Sequence, residues 1–96
     1  MADLEPLLRD LVVANRILAN ENVVDAYGHV SIRHPDNPER FLMSRSRSPE
    51  LVTLGDIIEF TLDGEPVNDD RTPYAERHIH GAIYEARPEV NSVVHN

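Results

Sequence analysis

The residues best suited to chemistry in this 96-residue chain are an acid and several histidines near its C-terminal end. Glu76 and His80 lie four residues apart in YAERHIHGAIYEAR, so a helix would place both side chains on one face. We expect Glu76 to lie near the buried side, because an apolar stripe runs beside it. A carboxylate next to an imidazole can move protons or bind a divalent cation. A surface ion pair explains the same spacing and stays an alternative.

Two further histidines raise the question of a metal site. In a strand, His78 and His80 would share a face, but in a helix they point about 200° apart, which argues against a shared metal. His95 ends the apolar run Val93-Val94. It is either a hydrogen-bonded core histidine or a cation ligand, since a neutral imidazole against an apolar wall suits a divalent metal.

The loop SRSRSP places two arginines among serines. The guanidinium fork matches a carboxylate or phosphate through paired hydrogen bonds, and serine hydroxyls add neutral donors. Arg45 and Arg47 therefore form a candidate anion site, although a solvated loop would look the same. Gly28 and His29 stand at the entrance of a strand, where Gly28 could also be a simple turn residue.

Composition excludes several classes of function. The chain has no cysteine and no lysine, so it offers neither a thiolate nor a Schiff-base amine. Its net charge of -8 argues against nucleic acid or an anionic membrane as a partner. No stretch approaches the roughly 20 apolar residues of a membrane span, and the acidic N-terminus is unlike a signal peptide. We therefore predict a cytoplasmic location.

Six elements in the order α-β-β-β-α-β are predicted to position these groups. Val30 and Ile32 alternate with polar neighbours, which predicts a half-buried strand. Thr72 is the expected N-cap of the second helix, with Pro73 in its first turn. A single helical turn is expected after Ser48. The predicted elements are a helix over about 3–20, a hairpin over 28–44 whose second strand is 41–44, a strand at 57–61, a helix from 73 to 87 and a strand at 90–96.

Several segments together resemble the class II aldolase/adducin family, from about Ile17 to the end. They are GHVS (28–31), FLMS (41–44), DIIEF with DGEPV, and ERHIHGAIYEARPEVNSVVHN. Within the family, the stretch from DAYGHV to SPELV is most similar to decarboxylases of hydroxylated aromatic and pyridine dicarboxylates. The resemblance implies an α/β class fold, the N-terminal part of an α/β/α sandwich with a largely antiparallel central sheet. Residues 1–96 are then expected to be the N-terminal portion of a single, longer domain.

The resemblance also implies a divalent metal, manganese or zinc, held largely by histidines. His95 matches the first histidine of the family's H-x-H pair, and the second would follow Asn96 directly. Glu76 matches the catalytic acid/base carboxylate, and Glu76 and His95 are the expected metal ligands in this chain. With the other ligands absent, we expect residues 1–96 alone to bind metal weakly and to be inactive.

The positions that cradle a phosphate in sugar-phosphate aldolases of the family differ here. The Asn position is His29, the Thr-Gly loop corresponds to residues 44–47, and Ser-Ser becomes Tyr74-Ala75. Two arginines fit a substrate with more than one carboxylate better than a phosphate. The candidate substrate-binding residues are Gly28, His29, Ser44, Arg45, Ser46, Arg47, Tyr74 and His80.

The favoured hypothesis is therefore a metal-dependent carbon–carbon lyase that decarboxylates a hydroxy-substituted aromatic or pyridine dicarboxylate in catabolism. One alternative is a class II aldolase or epimerase acting on a sugar phosphate. The other is a non-catalytic, adducin-like interaction module, which would be expected to lose Glu76 or the histidines. Expected partners are a small carboxylate substrate and further copies of the chain, since the resembling family is usually tetrameric.

Overall fold

The computed structural model describes residues 4–21 and 28–95, and all structural statements refer to them. Within these residues the order of helices and strands is α-β-β-β-α-β, as predicted. Two short 3₁₀ turns, Pro49–Leu51 and Leu54–Asp56, precede the third strand, and the first of them follows Ser48 as predicted. The helices and strands are α1 (Glu5–Asn20), β1 (His29–Arg33), β2 (Arg40–Ser44), β3 (Ile57–Thr61), α2 (Arg77–Ala86) and β4 (Ser92–His95).

The four strands form one antiparallel sheet in the order β3-β2-β1-β4. The β1–β2 hairpin pairs Ser31 with Met43, as expected for consecutive strands joined by a short turn. On the other side of β1, the last strand returns so that His29 lies opposite His95. This pairing brings together two histidines that are far apart in the sequence.

The alternation of side chains along β2 shows that both faces of the sheet are covered. Phe41 and Met43 pack in one apolar cluster with Tyr84 of α2. Leu42, between them, packs in a second cluster with Leu11 of α1. Because neighbouring residues of a strand point to opposite faces, the two helices lie on opposite sides of the sheet. The predicted α/β/α arrangement with an antiparallel sheet is confirmed.

The prediction that β1 is half-buried is wrong. Val30 packs towards α1, but the alternate residues His29 and Ser31 are equally buried, with exposures of 1% and 0%. The reason is that α2 covers the second face of this strand, which its alternating sequence does not reveal. Polar groups are therefore enclosed beneath α2, where each needs a hydrogen-bond partner.

The predicted start of α2 is also wrong. The helix begins at Arg77, with Glu76 at the N-cap position, and not after Thr72. Glu76 consequently precedes the helix, and its side chain is 51% exposed instead of lying near the buried side. The last strand is shorter than predicted as well, because β4 begins at Ser92.

The late start of α2 has a tertiary cause. Residues 72–74 are extended and lie beside the loop of residues 44–49, which we call the arginine loop. An extended segment cannot at the same time take helical backbone angles, so the helix starts only after it. The contacts are a hydrogen bond from the Ser46 amide to the Thr72 carbonyl (2.8 Å), a bridge between Arg45 and Pro73, and a hydrogen bond from the Tyr74 hydroxyl to the Arg47 carbonyl.

Arg33, at the end of β1, fastens the strand to the C-terminal end of α2. Its guanidinium donates to the carbonyls of Tyr84, Val90 and Arg87 at 2.9, 2.9 and 3.1 Å, and lies 4.7 Å from the Tyr84 ring centroid. These acceptors include carbonyls that the end of the helix leaves free, and a positive charge is favourable there. Arg33 therefore joins the sheet to the helix that carries the buried polar groups.

We expect the Arg33→Lys variant to lose about 1–3 kcal/mol of unfolding free energy, because one ammonium cannot reproduce the planar fork. Urea denaturation measures this loss. Arg9→Lys is the matched control, since Arg9 pairs with Glu5 on the exposed surface of α1 and should change stability by less than about 0.5 kcal/mol. Equal urea midpoints for the two variants would show that the contacts of Arg33 add no stability.

Candidate functional site

A carboxylate and two imidazoles meet where β1, β4 and the start of α2 come together. Glu76 Oε1 lies 3.3 Å from His29 Nε2 and 3.7 Å from His95 Nδ1. Potential ligand atoms of the three side chains all lie within 4.8 Å of one another. The two imidazole rings stack with centroids 4.9 Å apart, as their paired positions on β1 and β4 require. We call these three residues the His–Glu–His cluster.

The cluster is buried on one side and open on the other. His29 is enclosed, whereas the side chains of His95 and Glu76 are 34% and 51% exposed. Burial lowers the pKa of His29 below its usual value, although the hydrogen bond to the Glu76 carboxylate opposes the effect. His29 is therefore a neutral imidazole at physiological pH. A small molecule can reach the cluster from the side of Glu76 and His95.

The residues of the cluster fit a divalent cation. His95 Nδ1 is buried and has no hydrogen-bond partner among the described residues, although it faces a carboxylate oxygen. Nitrogen and oxygen donors of these types bind zinc or manganese. Ligand atoms around a four-coordinate zinc lie roughly 3.3 Å apart, close to the 3.7 Å between Glu76 Oε1 and His95 Nδ1. Metal binding by Glu76 and His95 stays a prediction, and the geometry suits it.

Behind the cluster, a line of hydrogen bonds runs through the space between the sheet and α2. It links His29 Nδ1 to His80 Nε2 at 2.6 Å, His80 Nδ1 to Ser31 Oγ at 2.6 Å, and Ser31 Oγ to the Tyr84 hydroxyl at 2.8 Å. All four side chains are at most 1% exposed. Every polar atom in this interior line is therefore paired within the protein.

His80, a predicted substrate contact, lies in the interior of the described residues, and substrate contact by it stays a prediction. The side chain of His80 is completely buried, and His29 separates it from Glu76. Burial, together with the neighbouring His29 and His95, lowers the pKa of His80 to about 3. His80 is therefore an uncharged interior group in contact with His29. His78, by contrast, is exposed and contacts the Asp63 carbonyl at 2.9 Å, so the two histidines of HIH point apart as the helix prediction required.

Both arginines of the candidate anion site are paired with an acid that the sequence did not reveal. Arg45 Nε donates to Asp56 Oδ1 at 2.7 Å, and Arg47 Nη1 donates to Asp56 Oδ2 at 3.2 Å. Asp56 is 4% exposed, while the two arginine side chains remain 37% and 35% exposed. The acid holds the guanidinium groups in place and cancels part of their charge. The accessible parts of both groups can still meet a substrate anion.

The remaining predicted substrate contacts lie around this loop. The Tyr74 ring lies 4.9 Å from the His29 ring, and the Tyr74 hydroxyl donates to the Arg47 carbonyl, so Tyr74 connects the loop to the cluster. Ser46 is exposed. Gly28 and Ser44 are buried, and the Ser44 hydroxyl donates to the Arg45 carbonyl at 2.8 Å. Substrate contact by these residues stays a prediction.

Three residues of the site were missed, although the sequence held a signal for each. Asp56 closes a capping box with Thr53, and the spacing Thr-x-x-Asp is a recognisable motif. Ser31 lies two residues after His29 and so shares its face of the strand. Tyr84 lies four residues after His80 and so shares its face of the helix. None of these signals predicts a role in the site until the element that packs against the residue is known.

Asp56 makes stability depend on pH in the acid range. Burial alone would raise the pKa of Asp56, but hydrogen bonds from Arg45 and Thr53 and the charge of Arg47 outweigh it and lower the pKa to about 2. A depressed carboxyl pKa contributes stability above the unfolded-state value, near 4, which is lost as the pH falls towards 2. The size of this contribution is about 2 kcal/mol.

We therefore expect the unfolding free energy to fall by about 2 kcal/mol between pH 4 and pH 2, and to fall less in the Asp56→Asn variant. Urea unfolding at a series of pH values measures both. Asp10→Asn, on the exposed surface of α1, is the control and should keep the parent's pH profile. An Asp56→Asn profile identical to the parent's would contradict the assignment.

The fold and the cluster together define a family. Residues 9–96 match the family described as Class II Aldolase and Adducin N-terminal domain, and the chain belongs to this family. Its curated relatives include a decarboxylase, tropJ, from Talaromyces stipitatus, which is 42% identical over 92 residues. They also include a methylthioribulose-1-phosphate dehydratase from Gluconacetobacter diazotrophicus, which is 34% identical over 89 residues.

A comparison with solved structures also finds a class II aldolase fold. An L-fuculose 1-phosphate aldolase from Glaciozyma antarctica superposes with a TM-score of 0.84 at 32% identity and covers all of this chain. The match takes in 43% of that aldolase, and this chain spans 35% of the decarboxylase and 43% of the dehydratase. In the described part of the chain, neither helix is long and apolar enough to cross a bilayer.

Proposed function

We propose that this chain carries part of the active site of a divalent-metal-dependent carbon–carbon lyase, a decarboxylase of a hydroxy-substituted aromatic or pyridine dicarboxylate. The observation that carries the proposal is the His–Glu–His cluster, open to solvent on one side and next to a loop with two partly exposed arginines. The 42% identity to a decarboxylase supports this reaction over others of the family.

Glu76 and His95 are the groups that would hold the cation, because their facing atoms are 3.7 Å apart and His95 Nδ1 has no other described partner. When bound, the cation supplies an electrophile that takes up the negative charge left as CO₂ departs. Glu76 is exposed and can carry the proton that the ring carbon gains when the carbon–carbon bond breaks. His29 donates a hydrogen bond to this carboxylate and so limits its orientation.

The arginine loop would select the substrate. Arg45 contacts Asp56 through Nε, so its terminal nitrogens can still bind a second carboxylate. Asp56 holds the guanidinium groups in position before the substrate arrives. A dicarboxylate is therefore favoured over a phosphate, which in the resembling aldolases is held by hydroxyl and amide groups. We further propose that the protein is a cytoplasmic homo-oligomer and that its metal is manganese or zinc.

Two alternative functions are a sugar-phosphate enzyme and a non-catalytic interaction module. The L-fuculose 1-phosphate aldolase and methylthioribulose-1-phosphate dehydratase relatives favour a sugar-phosphate substrate. Against this stands His29, whose buried imidazole contacts Glu76, at the position where the sugar-phosphate aldolases that the sequence resembles carry an asparagine. An interaction module without catalysis would have no use for a histidine whose unpaired Nδ1 faces a glutamate carboxylate.

The discriminating experiment supplies the purified full-length protein with Mn²⁺ or Zn²⁺. One assay detects CO₂ release from a panel of hydroxy-substituted aromatic and pyridine dicarboxylates, and a second detects aldehyde release or dehydration of sugar phosphates. We expect CO₂ release that a chelator abolishes. Turnover of sugar phosphates alone would overturn the decarboxylase proposal. Inactivity in both assays with the metal bound would favour the interaction module.

A further inference from the structure

We infer that His29 is a positioning residue for Glu76, held as its Nε2–H tautomer by a one-directional hydrogen-bond relay that starts at Tyr84 and passes through Ser31 and His80. The relay is the interior line of hydrogen bonds behind the cluster. The inference deepens the proposed function and rests on it only for the consequence for turnover.

The direction of the relay follows from the group at its exposed end. A carboxylate can only accept hydrogen bonds, so the His29 nitrogen that faces Glu76 must carry the proton. A neutral imidazole has one N–H, which leaves His29 Nδ1 as an acceptor, and His80 Nε2 must then donate to it across 2.6 Å. The protons of both rings therefore point towards Glu76.

The same count of donors and acceptors determines the direction of the hydrogen bonds at the interior end of the relay, from Tyr84 to His80. With its proton on Nε2, His80 presents a lone pair at Nδ1, and the Ser31 hydroxyl must donate to it across 2.6 Å. Ser31 Oγ is then an acceptor for the Tyr84 hydroxyl at 2.8 Å. Tyr84 is a suitable start, because a phenol needs no incoming hydrogen bond in order to donate one. The four hydrogen bonds satisfy one another in a single direction.

The reverse direction leaves two groups in conflict. A lone pair of His29 would face the Glu76 carboxylate at 3.3 Å, which is repulsive. At the other end, the Tyr84 proton would have no acceptor, because within the described residues its hydroxyl contacts only Ser31. A buried donor without an acceptor is unfavourable. The observed contacts thus favour the direction towards Glu76.

The relay orients His29 and does not conduct protons. For His29 to pass a proton to Glu76 and be replenished from within, Tyr84 would have to end as a phenolate. Burial raises the pKa of Tyr84 to about 12, so this state is not accessible at neutral pH. His29 is also not free to bind a cation through Nε2, because the relay keeps a proton there. Within the cluster, the cation is left to Glu76 and His95.

The test reads the tautomers directly. Long-range ¹H–¹⁵N spectra of the metal-free, ¹⁵N-labelled chain distinguish a protonated ring nitrogen from one with a free lone pair. We expect both His29 and His80 to be the Nε2–H tautomer near neutral pH. A predominant Nδ1–H tautomer at either residue would overturn the inference. This readout needs neither metal nor turnover, so it is independent of the proposed function.

Two variants test whether the interior residues impose the tautomer. Ser31→Ala removes the donor to His80 Nδ1, so that only Glu76 still favours the Nε2–H form, and an Nδ1–H fraction should appear at His80 and, through it, at His29. Tyr84→Phe removes only the terminal hydroxyl and is the substitute if Ser31→Ala does not fold. Ser44→Ala is the matched control, because Ser44 is an equally buried serine on the neighbouring strand whose hydroxyl donates to a backbone carbonyl. Unchanged His80 and His29 tautomers in every relay variant that folds would show that Glu76 alone sets the tautomers, and would overturn the inference.

Adding Zn²⁺ separates the positioning role from a ligand role. We expect His29 to keep its Nε2 proton while the ¹⁵N shifts of His95 respond. Loss of the His29 Nε2 proton at saturating zinc would make His29 a ligand and overturn the inference. If the tautomers are as expected and the full-length protein has no lyase activity, the proposed function fails and the relay stands.

Discussion

The Glu76→Gln variant is expected to lose about 10²- to 10⁴-fold in turnover of a hydroxy-dicarboxylate, because an amide cannot carry the proton that the product carbon gains. Glutamine keeps the length of the side chain and an oxygen that can accept the hydrogen bond from His29. Since Glu76 is half exposed and precedes α2, the unfolding free energy should change by less than about 0.5 kcal/mol. The rate of CO₂ release and a urea titration of the same sample measure both quantities.

Glu85→Gln is the control, since Glu85 lies on α2 and is also exposed. It removes the same charge nine residues further along the chain without touching the cluster, and its turnover should match the parent's. A Glu76→Gln protein as active as the Glu85→Gln protein would remove Glu76 from the chemistry. A Glu76→Gln protein that unfolds much more easily than the parent would make the activity loss uninterpretable as a chemical effect and would contradict the stability part of the prediction.

The Gly81→Ala variant is expected to lose about 3 kcal/mol or more of unfolding free energy, one of the largest effects of any single methyl group in this chain. A β-carbon at position 81 would lie 2.1 Å from the Leu62 carbonyl oxygen. That atom belongs to the backbone after β3 and cannot rotate away, so α2 would have to move off the sheet. His80 would move with it, and the relay to Glu76 would be disturbed as well.

Intrinsic helix propensity predicts the opposite sign, since alanine within a helix is about 1 kcal/mol better than glycine. Gly55→Ala separates the two effects, because the nearest atom to a β-carbon there is Thr53 Oγ1 at 4.0 Å. Gly55→Ala should leave the urea midpoint nearly unchanged, whereas Gly81→Ala should lower it strongly or prevent folding. A Gly81→Ala protein as stable as the Gly55→Ala protein would contradict the close packing of α2 on Leu62.

The order of the elements could be predicted because it depends on local patterns. The apolar spacing along α1 and the alternation in β1 are visible without knowledge of the partner elements. The start of α2 could not be predicted in this way. Thr72 and Pro73 have the local features of a helix start, but contacts with the arginine loop keep them extended, and those contacts join residues far apart in sequence.

The candidate site, too, could be predicted only where a sequence motif was enough to recognise a residue. Glu76 and His95 were recognised through their resemblance to a family motif, and the structure places them 3.7 Å apart. Asp56 was not recognised, because an acid before an apolar strand is common and becomes informative only when two arginines converge on it. The burial of His80 was not predicted for a related reason. Its spacing from Glu76 suggested a shared surface, whereas the cover of α2 over β1 puts it in the interior.

The register of β4 on β1 determines whether His95 can contact Glu76. His95 reaches Glu76 only because it lies opposite His29 in the antiparallel ladder. A slip of one residue would keep most of the backbone hydrogen bonds, but it would turn His95 to the opposite face of the sheet and bring Val94 towards Glu76. Such a molecule would retain its secondary structure by circular dichroism and lose the contact between His95 and Glu76. Under the proposed function, loss of zinc binding would therefore detect an error of register that measurements of secondary structure overlook.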